Sequence, residues 1–286
     1  MFKSVYYDQH KNKMHLWEIG PDGKTVYHNI DHEVYYYVED KTKKSPIRDI
    51  YGTHVTKKIA TSKQALRTLK DSGVKLYESD LSEEVKFLHA RYEKNPEKID
   101  FKKYKVAIID IEIQGENEFP TPELAKYPIN LITVDDYRND KITTFGLHPY
   151  TGDNKEVKYI HCETEEILLN KFIHFFRSER FDITTGWFSA DFDWPYIINR
   201  CKNINVDYAP LSPIGKVDIR KANSKTKKNV LKVSIAGLSI LDSMDLYKKF
   251  SYKNQSSYTL NYIGMQEVGE GKLEYEGQIN DLYKRD

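Results

Sequence analysis

The stretch Val106–Ile113, with the sequence VAIIDIEI, decides the fold because it predicts a buried strand that carries two carboxylates, Asp110 and Glu112. Residues two apart on a strand point to the same face, so these side chains stand roughly 6.5–7 Å apart along it. Two adjacent anions at the end of a buried strand repel each other unless a cation lies between them. A hard divalent ion with oxygen ligands suits this position, and two such ions about 4 Å apart would make a site for phosphodiester hydrolysis.

A third carboxylate, Asp193, lies in a second distinctive stretch, Thr185–Ile197, with the sequence TGWFSADFDWPYI. An Asp-x-Glu pair alone also fits a solvated strand end, since short motifs have many chance matches. The third acid favours a metal site instead. Asp191, two residues before Asp193, is interpreted as the N-terminal cap of the following helix. Trp187 and Trp194 could stack nucleobases, but their place at a strand–helix junction favours core packing.

The composition bounds the class of protein. The chain has 286 residues, enough for two domains, and its net charge is only +1 although 30% of its residues are charged. Any nucleic-acid surface must therefore be sought in the distribution of charge. Two cysteines, Cys162 and Cys201, provide no disulfide framework or zinc cluster and fit a reducing intracellular compartment. No apolar run approaches the ~20 residues that span a bilayer, and the N-terminus carries no secretory pattern, so no membrane partner is expected.

The first part of the chain is predicted to be rich in strands. Two helices follow, one beginning near Ser62 and ended by Gly73, the other opened by Ser82. Their apolar stripes are predicted to be Ala65, Leu66 and Leu69 in the first helix, and Val85, Leu88 and Tyr92 in the second. A polar, proline-broken segment at residues 94–103 marks a domain boundary. The strands predicted from aromatic and β-branched residues are Val5–Tyr7, His15–Ile19, Thr25–Asn29 and Glu33–Val38.

The second part alternates strands with helices, which indicates an α/β (α+β) domain with a mixed sheet. The predicted strands are Val106–Ile113, Ile129–Val134, Ile142–Leu147, Lys158–Cys162 and Phe181–Thr185. The predicted helices are Glu163–Arg177, with Ile167, Leu168, Phe172, Ile173 and Phe176 buried, and Phe192–Lys202, with Ile197 and Ile198 inward.

Residues 215–232 form a basic stretch in which a single acid, Asp218, opposes many cations. Residues 222–226 resemble a turn between two extended arms. In isolation the stretch fits a solvated hairpin, and clustered lysine and arginine also fit a hairpin that contacts phosphate. The cations are Lys216, Arg220, Lys221, Lys225, Lys227, Lys228 and Lys232.

These stretches resemble family B DNA polymerases, and most closely the replicative polymerases of T-even-like tailed bacteriophages. Residues 110–112 resemble the first exonuclease motif of the family, and Thr185–Trp187 together with Phe192–Arg200 resemble the second. The likeness runs in the expected order over nearly the whole chain. Further stretches that carry it are residues 50–52 (IYG), 119–122 (FPTP), 239–242 (SILD), 245–250 (DLYKKF) and 271–277 (GKLEYEG).

The resemblance implies a polymerase N-terminal domain at residues 1–103 and a 3′–5′ proofreading exonuclease of ribonuclease-H-like fold at residues 104–286. It implies that Asp110, Glu112 and Asp193 are catalytic and hold two Mg²⁺ or Mn²⁺ ions. Phe119 matches a position near the entering single strand. The basic stretch matches a β-hairpin that separates a primer end from its template, with DNA-contacting residues Arg220, Lys221, Lys225, Lys227 and Lys228.

The partners that the resemblance implies are DNA, as a single-stranded 3′ end and a primer–template, the remainder of the polymerase, and its sliding clamp. RNA, bound through the N-terminal domain, is a further partner, and the cytoplasm of an infected host is the implied location. A freestanding exonuclease and a non-catalytic nucleic-acid-binding module are the alternatives.

Two departures from the family pattern bear on activity. Phe188 stands where the second motif usually has asparagine. The third exonuclease motif, a tyrosine and an aspartate on a helix, is expected beyond residue 286, as are the palm, fingers and thumb. The sequence fits a shortened polymerase or the product of a split gene. These residues alone are therefore expected to have no polymerase activity and little or no exonuclease activity.

Overall fold

The computed structural model describes residues 1–94, 99–115, 118–152, 154–222 and 230–272. The chain divides into two compact units, Met1–Asp100 and Phe101–Asp286. The assignment of residues 1–103 and 104–286 to two polymerase domains stays a prediction. Within the described ranges, no helix is both long enough and apolar enough to cross a membrane.

The first unit consists of two antiparallel sheets and two helices. Its four predicted strands are confirmed, and a fifth strand at Val55–Ala60 was not predicted. Tyr7, Met14, Val34 and Leu66 form its buried core. The elements are β1 (Phe2–Asp8), β2 (Lys13–Ile19) and β3 (Thr25–Asp31) in one sheet, β4 (Val34–Glu39) and β5 (Val55–Ala60) in the other, and the helices α1 (Lys63–Asp71) and α2 (Glu83–Tyr92).

Both helices begin at the predicted starts, and a serine caps each of them. The Ser62 side chain accepts from the Ala65 N–H, and the Ser82 side chain accepts from the Val85 N–H. The predicted apolar stripe of α2 is wrong at Val85, which is exposed. The buried residues of α2 are Glu83 and Lys86.

An ion-pair cluster explains the burial of these two charges. Glu83 lies 2.9 Å from His32 Nε2, 2.7 Å from Lys63 Nζ and 2.9 Å from Lys86 Nζ. Burial alone would raise the pKa of Glu83, but these hydrogen bonds lower it to about 2. Paired charges satisfy one another in the interior, so this helix buries a polar face that hydrophobic periodicity does not reveal.

The second unit is built on a six-stranded mixed sheet. In order across the sheet its strands are β13 (Ser239–Ile240), β10 (Ile183–Thr185), β6 (Val106–Ile113), β7 (Ile129–Asp136), β8 (Lys141–Gly146) and β9 (Val157–His161). The strands β13, β10 and β6 run parallel, β7 is antiparallel to β6 and β8, and β9 is parallel to β8. This confirms the predicted α/β class with a mixed sheet. Two further strands, β11 (Val217–Ala222) and β12 (Val230–Ile235), form a separate antiparallel pair. The helices are α3 (Glu165–Glu179), α4 (Asp193–Asn203), α5 (Ser243–Phe250) and α6 (Leu260–Glu267), with short 3₁₀ turns at Phe101–Lys103 and Ala209–Leu211.

The core of this unit lies between the sheet and the helices α3 and α4. Helix α3 buries a stripe of five residues, Leu168, Leu169, Phe172, Ile173 and Phe176. The predicted burial of Ile167 is wrong, because the stripe centres on Leu169 and turns Ile167 outward. Trp194 of α4 is fully buried against this stripe, which confirms its predicted core role. Trp187 is half-buried, and its indole N–H donates to the Tyr258 carbonyl at 3.0 Å.

Candidate functional site

Strand β6 presents the first two candidate acids. Ile109, Ile111 and Ile113 are buried in the core, whereas Asp110 is exposed and Glu112 is half-buried. Alternation along a strand therefore places the two acids together on the face opposite the isoleucines. The pairing with β7 shifts register directly after Glu112, and such bulges re-aim neighbouring side chains beside functional sites.

The third candidate acid, Asp193, is brought to the same strand from 82 positions along the chain. It is the first residue of α4, and its Oδ1 accepts a hydrogen bond from the Ile111 N–H at 3.1 Å. Strand β10 pairs with β6 only as far as Ile108, so this N–H has no partner from β10. The Asp193 carboxylate is thereby fixed against the peptide between Asp110 and Glu112, and it is only 5% exposed.

The three acids are electrostatically coupled through Asp110. Burial, followed by the charge of Asp110, raises the pKa of Asp193 to about 7. Burial, followed by the charge of Asp110, also raises the pKa of Glu112. Partial burial of its carboxylate raises the pKa of Asp110 itself. The positive charge of Lys272 opposes the rise at Asp110 and Glu112. The site is thus an anionic cluster whose ionised form needs a compensating cation.

The loop between β10 and α4 is held close to β6. A Cβ on Gly186 would lie 2.6 Å from the Ile109 carbonyl oxygen, so only glycine fits there. Phe188 has φ +66°, a left-handed conformation that is costly for a bulky residue and common for asparagine. Asp242 stabilises this loop, since its carboxylate accepts from the N–H groups of Phe188 at 3.3 Å and Ala190 at 2.9 Å.

Asp242 is a functional residue that the sequence reading missed. It is buried, it caps α5 by accepting from the N–H groups of Met244 and Asp245, and its charge adds to the rise in the pKa of Asp193. The available signal was an aspartate directly before the helix-forming run at residues 243–250, which is typical of an N-cap.

The predicted capping role of Asp191 is wrong. Helix α4 begins at Asp193, so the cap position falls on Phe192, which makes no side-chain cap hydrogen bond. Asp191 lies one residue too early and instead pairs with Lys232 of β12, with 3.0 Å between Oδ1 and Nζ. This ion pair connects the basic hairpin to the loop that leads to Asp193.

A row of aromatic rings runs inward from the surface through Phe192, the residue before Asp193. Phe119 is 81% exposed. Its ring centroid lies 5.9 Å from that of Phe192, which stacks on Tyr196 at 5.9 Å. The Tyr196 hydroxyl donates to the Tyr127 carbonyl at 2.8 Å, which fixes the inner end of the row. An exposed ring on a fixed support is suited to stacking a nucleobase.

The basic stretch forms an antiparallel hairpin, with Arg220 paired to Lys232. Arg220 and Lys221 are exposed on β11. Three of the predicted DNA contacts, Lys225, Lys227 and Lys228, lie outside the described residues.

The donor set of the site fits a hard divalent cation by its chemistry, because all three candidate ligands are carboxylates with like-charge repulsion between them. Across the described ranges, no group of three or more His, Cys, Asp and Glu residues is arranged to hold a metal ion. The three carboxylates interact through the charge of Asp110. A cation would have to draw Asp110, Glu112 and Asp193 closer together in order to be held by all three.

Comparisons with known proteins all point to DNA polymerases. The family model for the exonuclease domain of DNA polymerase family B matches residues 68–263. The DNA-directed DNA polymerase of Escherichia phage RB69 is 32% identical over 82% of this chain and 29% of that protein. The DNA-directed DNA polymerase of Enterobacteria phage T4 is 35% identical over 64% of this chain and 23% of that protein. The DNA polymerase delta catalytic subunit of Caenorhabditis elegans is 29% identical over 62% of this chain and 17% of that protein. The chain spans less than a third of the length of these relatives.

Proposed function

The chain belongs to DNA polymerase family B and contains the exonuclease domain of that family, and we propose that it supplies 3′–5′ proofreading to a phage replicative DNA polymerase. The observation that carries this proposal is the hydrogen bond from the Ile111 N–H to Asp193, which fixes a third acid beside Asp110 and Glu112. The substrate is the single-stranded 3′ end of a primer–template, and the reaction takes place in the cytoplasm of an infected cell.

Asp110, Glu112 and Asp193 would hold Mg²⁺ or Mn²⁺. Such ions, when bound, lower the pKa of a water molecule and stabilise the charge that builds on a phosphate in hydrolysis. Asp110 is the acid whose charge acts on both others, so a cation held by Asp110 would relieve the repulsion across the whole set. Asp193 has a pKa of about 7 in the absence of metal, so cation binding must displace its proton near neutral pH.

Other side chains would position the strand. Phe119 would stack the base near the 3′ end, and Lys272 would balance negative charge beside the acids. The hairpin, through Arg220, Lys221, Lys225, Lys227 and Lys228, would contact the phosphates where primer and template separate. The remainder of the polymerase and its sliding clamp are the protein partners.

Degradation of 5′-labelled single-stranded DNA in Mg²⁺ tests the proposal. We expect shortening from the 3′ end when the chain is assayed as part of a polymerase as long as its relatives. Asp110→Ala in that longer chain should reduce the rate by several orders of magnitude, whereas Asp140→Asn, in an exposed turn, should not. Equal rates for the two variants would exclude this site.

A face of the first unit supports RNA as a second ligand. The rings of Tyr35 and Tyr37 lie 5.8 Å apart on β4, and Lys57 Nζ lies 4.2 Å from the Tyr35 ring centroid. Tyr37 also pairs with Tyr77, whose ring carries Lys75 Nζ at 5.0 Å. Rings alternating with cations suit single-stranded nucleic acid, since bases stack and phosphates pair with the lysines.

Replacing Lys57 and Lys75 by glutamine tests this face. The variant should bind a single-stranded RNA more weakly, and the slope of log K against log salt should fall by about 1.4. An unchanged slope would show that the face does not contact phosphate.

A further inference from the structure

Helix α5 ends in a shallow groove of about 460 Å³ whose wall displays exposed aromatic rings. Phe250 is 66% exposed, and Tyr252 is fully exposed. Adjacent exposed rings leave apolar surface in contact with water, and contiguous apolar surface of this kind marks candidate binding sites. The groove is lined by Tyr247, Phe250, Ser251, Tyr252, Lys253, Gln255 and Glu267.

The rings are interleaved with cations. Lys248 Nζ lies 4.8 Å from the Tyr258 ring centroid, and Lys249 Nζ lies 5.4 Å from the Phe250 ring centroid. Lys253 is exposed on the groove wall. Glu267, the acid that lines the groove, accepts a hydrogen bond from the Tyr247 hydroxyl. Lys253 in the groove and Lys248 and Lys249 on the adjoining helix therefore place cations beside exposed rings, which suits phosphates and bases better than it suits an apolar protein face.

The groove is connected to the acidic site by the helix itself. Helix α5 is capped by Asp242, whose carboxylate also accepts from Phe188 and Ala190 in the loop that leads to Asp193. A helix of this length spans roughly 12 Å. The groove thus lies about one short helix away from the loop, within the same unit.

We propose that this groove binds single-stranded polynucleotide outside the nucleotides held at Asp110, Glu112 and Asp193. Bases stack on Phe250 and Tyr252, and phosphates contact Lys249 and Lys253. Stacking on aromatic rings tolerates any base, so the groove binds without sequence preference. The inference rests on the proposed nuclease function, because it extends the path of the same substrate strand.

Oligonucleotide binding in EDTA tests the groove separately from hydrolysis. Fluorescence anisotropy is measured with single strands of roughly 4 and roughly 16 nucleotides, the range of lengths that compact single-strand sites cover. Phe250→Ala/Tyr252→Ala should weaken binding of the longer strand at least about tenfold and leave the shorter strand unaffected. Lys249→Gln/Lys253→Gln should reduce the salt slope by about 1.4.

Two control variants make the result specific. Tyr252→Phe keeps the ring and should keep the affinity. Lys158→Gln removes an exposed lysine from β9, at the opposite edge of the sheet from β13, and should keep the salt slope.

The outcomes separate this inference from the proposed function. Unchanged binding of the longer strand by the Phe250/Tyr252 variant would overturn the groove and leave the acidic site standing. If the same variant instead loses assembly with a polypeptide that carries the rest of a polymerase, the groove is a protein contact and the inference is wrong. The third outcome is that the Phe250/Tyr252 variant binds the longer strand more weakly, while Asp110→Ala in the longer polymerase chain still hydrolyses DNA at the normal rate. That result would retain the groove and overturn the nuclease site.

Discussion

Asp193→Asn tests the electrostatics of the site without removing its hydrogen bond. The amide oxygen can still accept from the Ile111 N–H, which lies 3.1 Å from Asp193 Oδ1, while the charge is lost. Burial, with the charges of Asp110 and Asp242, raises the pKa of Asp193 from 3.8 to about 7. A rise of this size corresponds to about 4 kcal/mol between the two protonation states.

The sign of the effect follows from proton binding. Between pH 3.8 and about 7 the folded protein keeps the Asp193 proton that the unfolded chain has lost, so the free energy of unfolding falls as pH rises. The asparagine variant should match the wild type near pH 3.8 and exceed it increasingly up to about pH 7. Above that pH the difference should level off at about 4 kcal/mol.

Urea unfolding at a series of pH values in EDTA measures this difference. Asp140→Asn, in an exposed turn, is the control and should change the pH dependence far less, through its effect on the pKa of Asp135. A stability difference between Asp193→Asn and the wild type that does not change with pH would refute the reasoning, because the carboxylate would then carry no penalty for ionisation.

Three further variants test the supports of the site. Gly186→Ala should destabilise the protein by about 1–3 kcal/mol in thermal unfolding, because its Cβ would meet the Ile109 carbonyl oxygen at 2.6 Å; wild-type stability would contradict the close approach. Asp242→Ala should cost about 1–2 kcal/mol and speed proteolysis of the adjoining loop, and Asp242→Asn should cost less. Replacing Lys225, Lys227 and Lys228 of the hairpin by alanine should reduce the salt slope of DNA binding by about 2, with little change in stability. An unchanged slope would exclude phosphate contact.

Local patterns predicted five of the six strands of the sheet, all but β13, and placed Asp110 and Glu112 on β6. Strand β6 has the predicted bounds Val106–Ile113, because its alternation of buried and accessible residues is encoded within eight positions. The starts of α1 and α2 at Ser62 and Ser82 and the core position of Trp194 were also predicted from local patterns. Each depends on neighbours within one turn or one strand.

The remaining features depend on contacts between distant segments. The hydrogen bond between Asp193 and the Ile111 N–H joins residues 82 positions apart. Asp191 fits a cap by its spacing, but the helix begins later and Lys232 from the hairpin takes its carboxylate. The buried pair Glu83 and Lys86 is stabilised by ion pairs that include residues of other segments. Hydrophobic periodicity contains no information about such partners.

Binding of Mn²⁺ is the most direct test of the claim that Asp110, Glu112 and Asp193 form a metal site. Calorimetric titration of the wild-type chain at about pH 8, above the pKa of about 7 of Asp193, should show weak binding that is lost in Asp110→Ala/Glu112→Ala. Binding should also release a proton near pH 7, since the cation displaces it from Asp193. Equal Mn²⁺ affinity in the wild type and in the double variant would show that the ion binds elsewhere and would contradict the account.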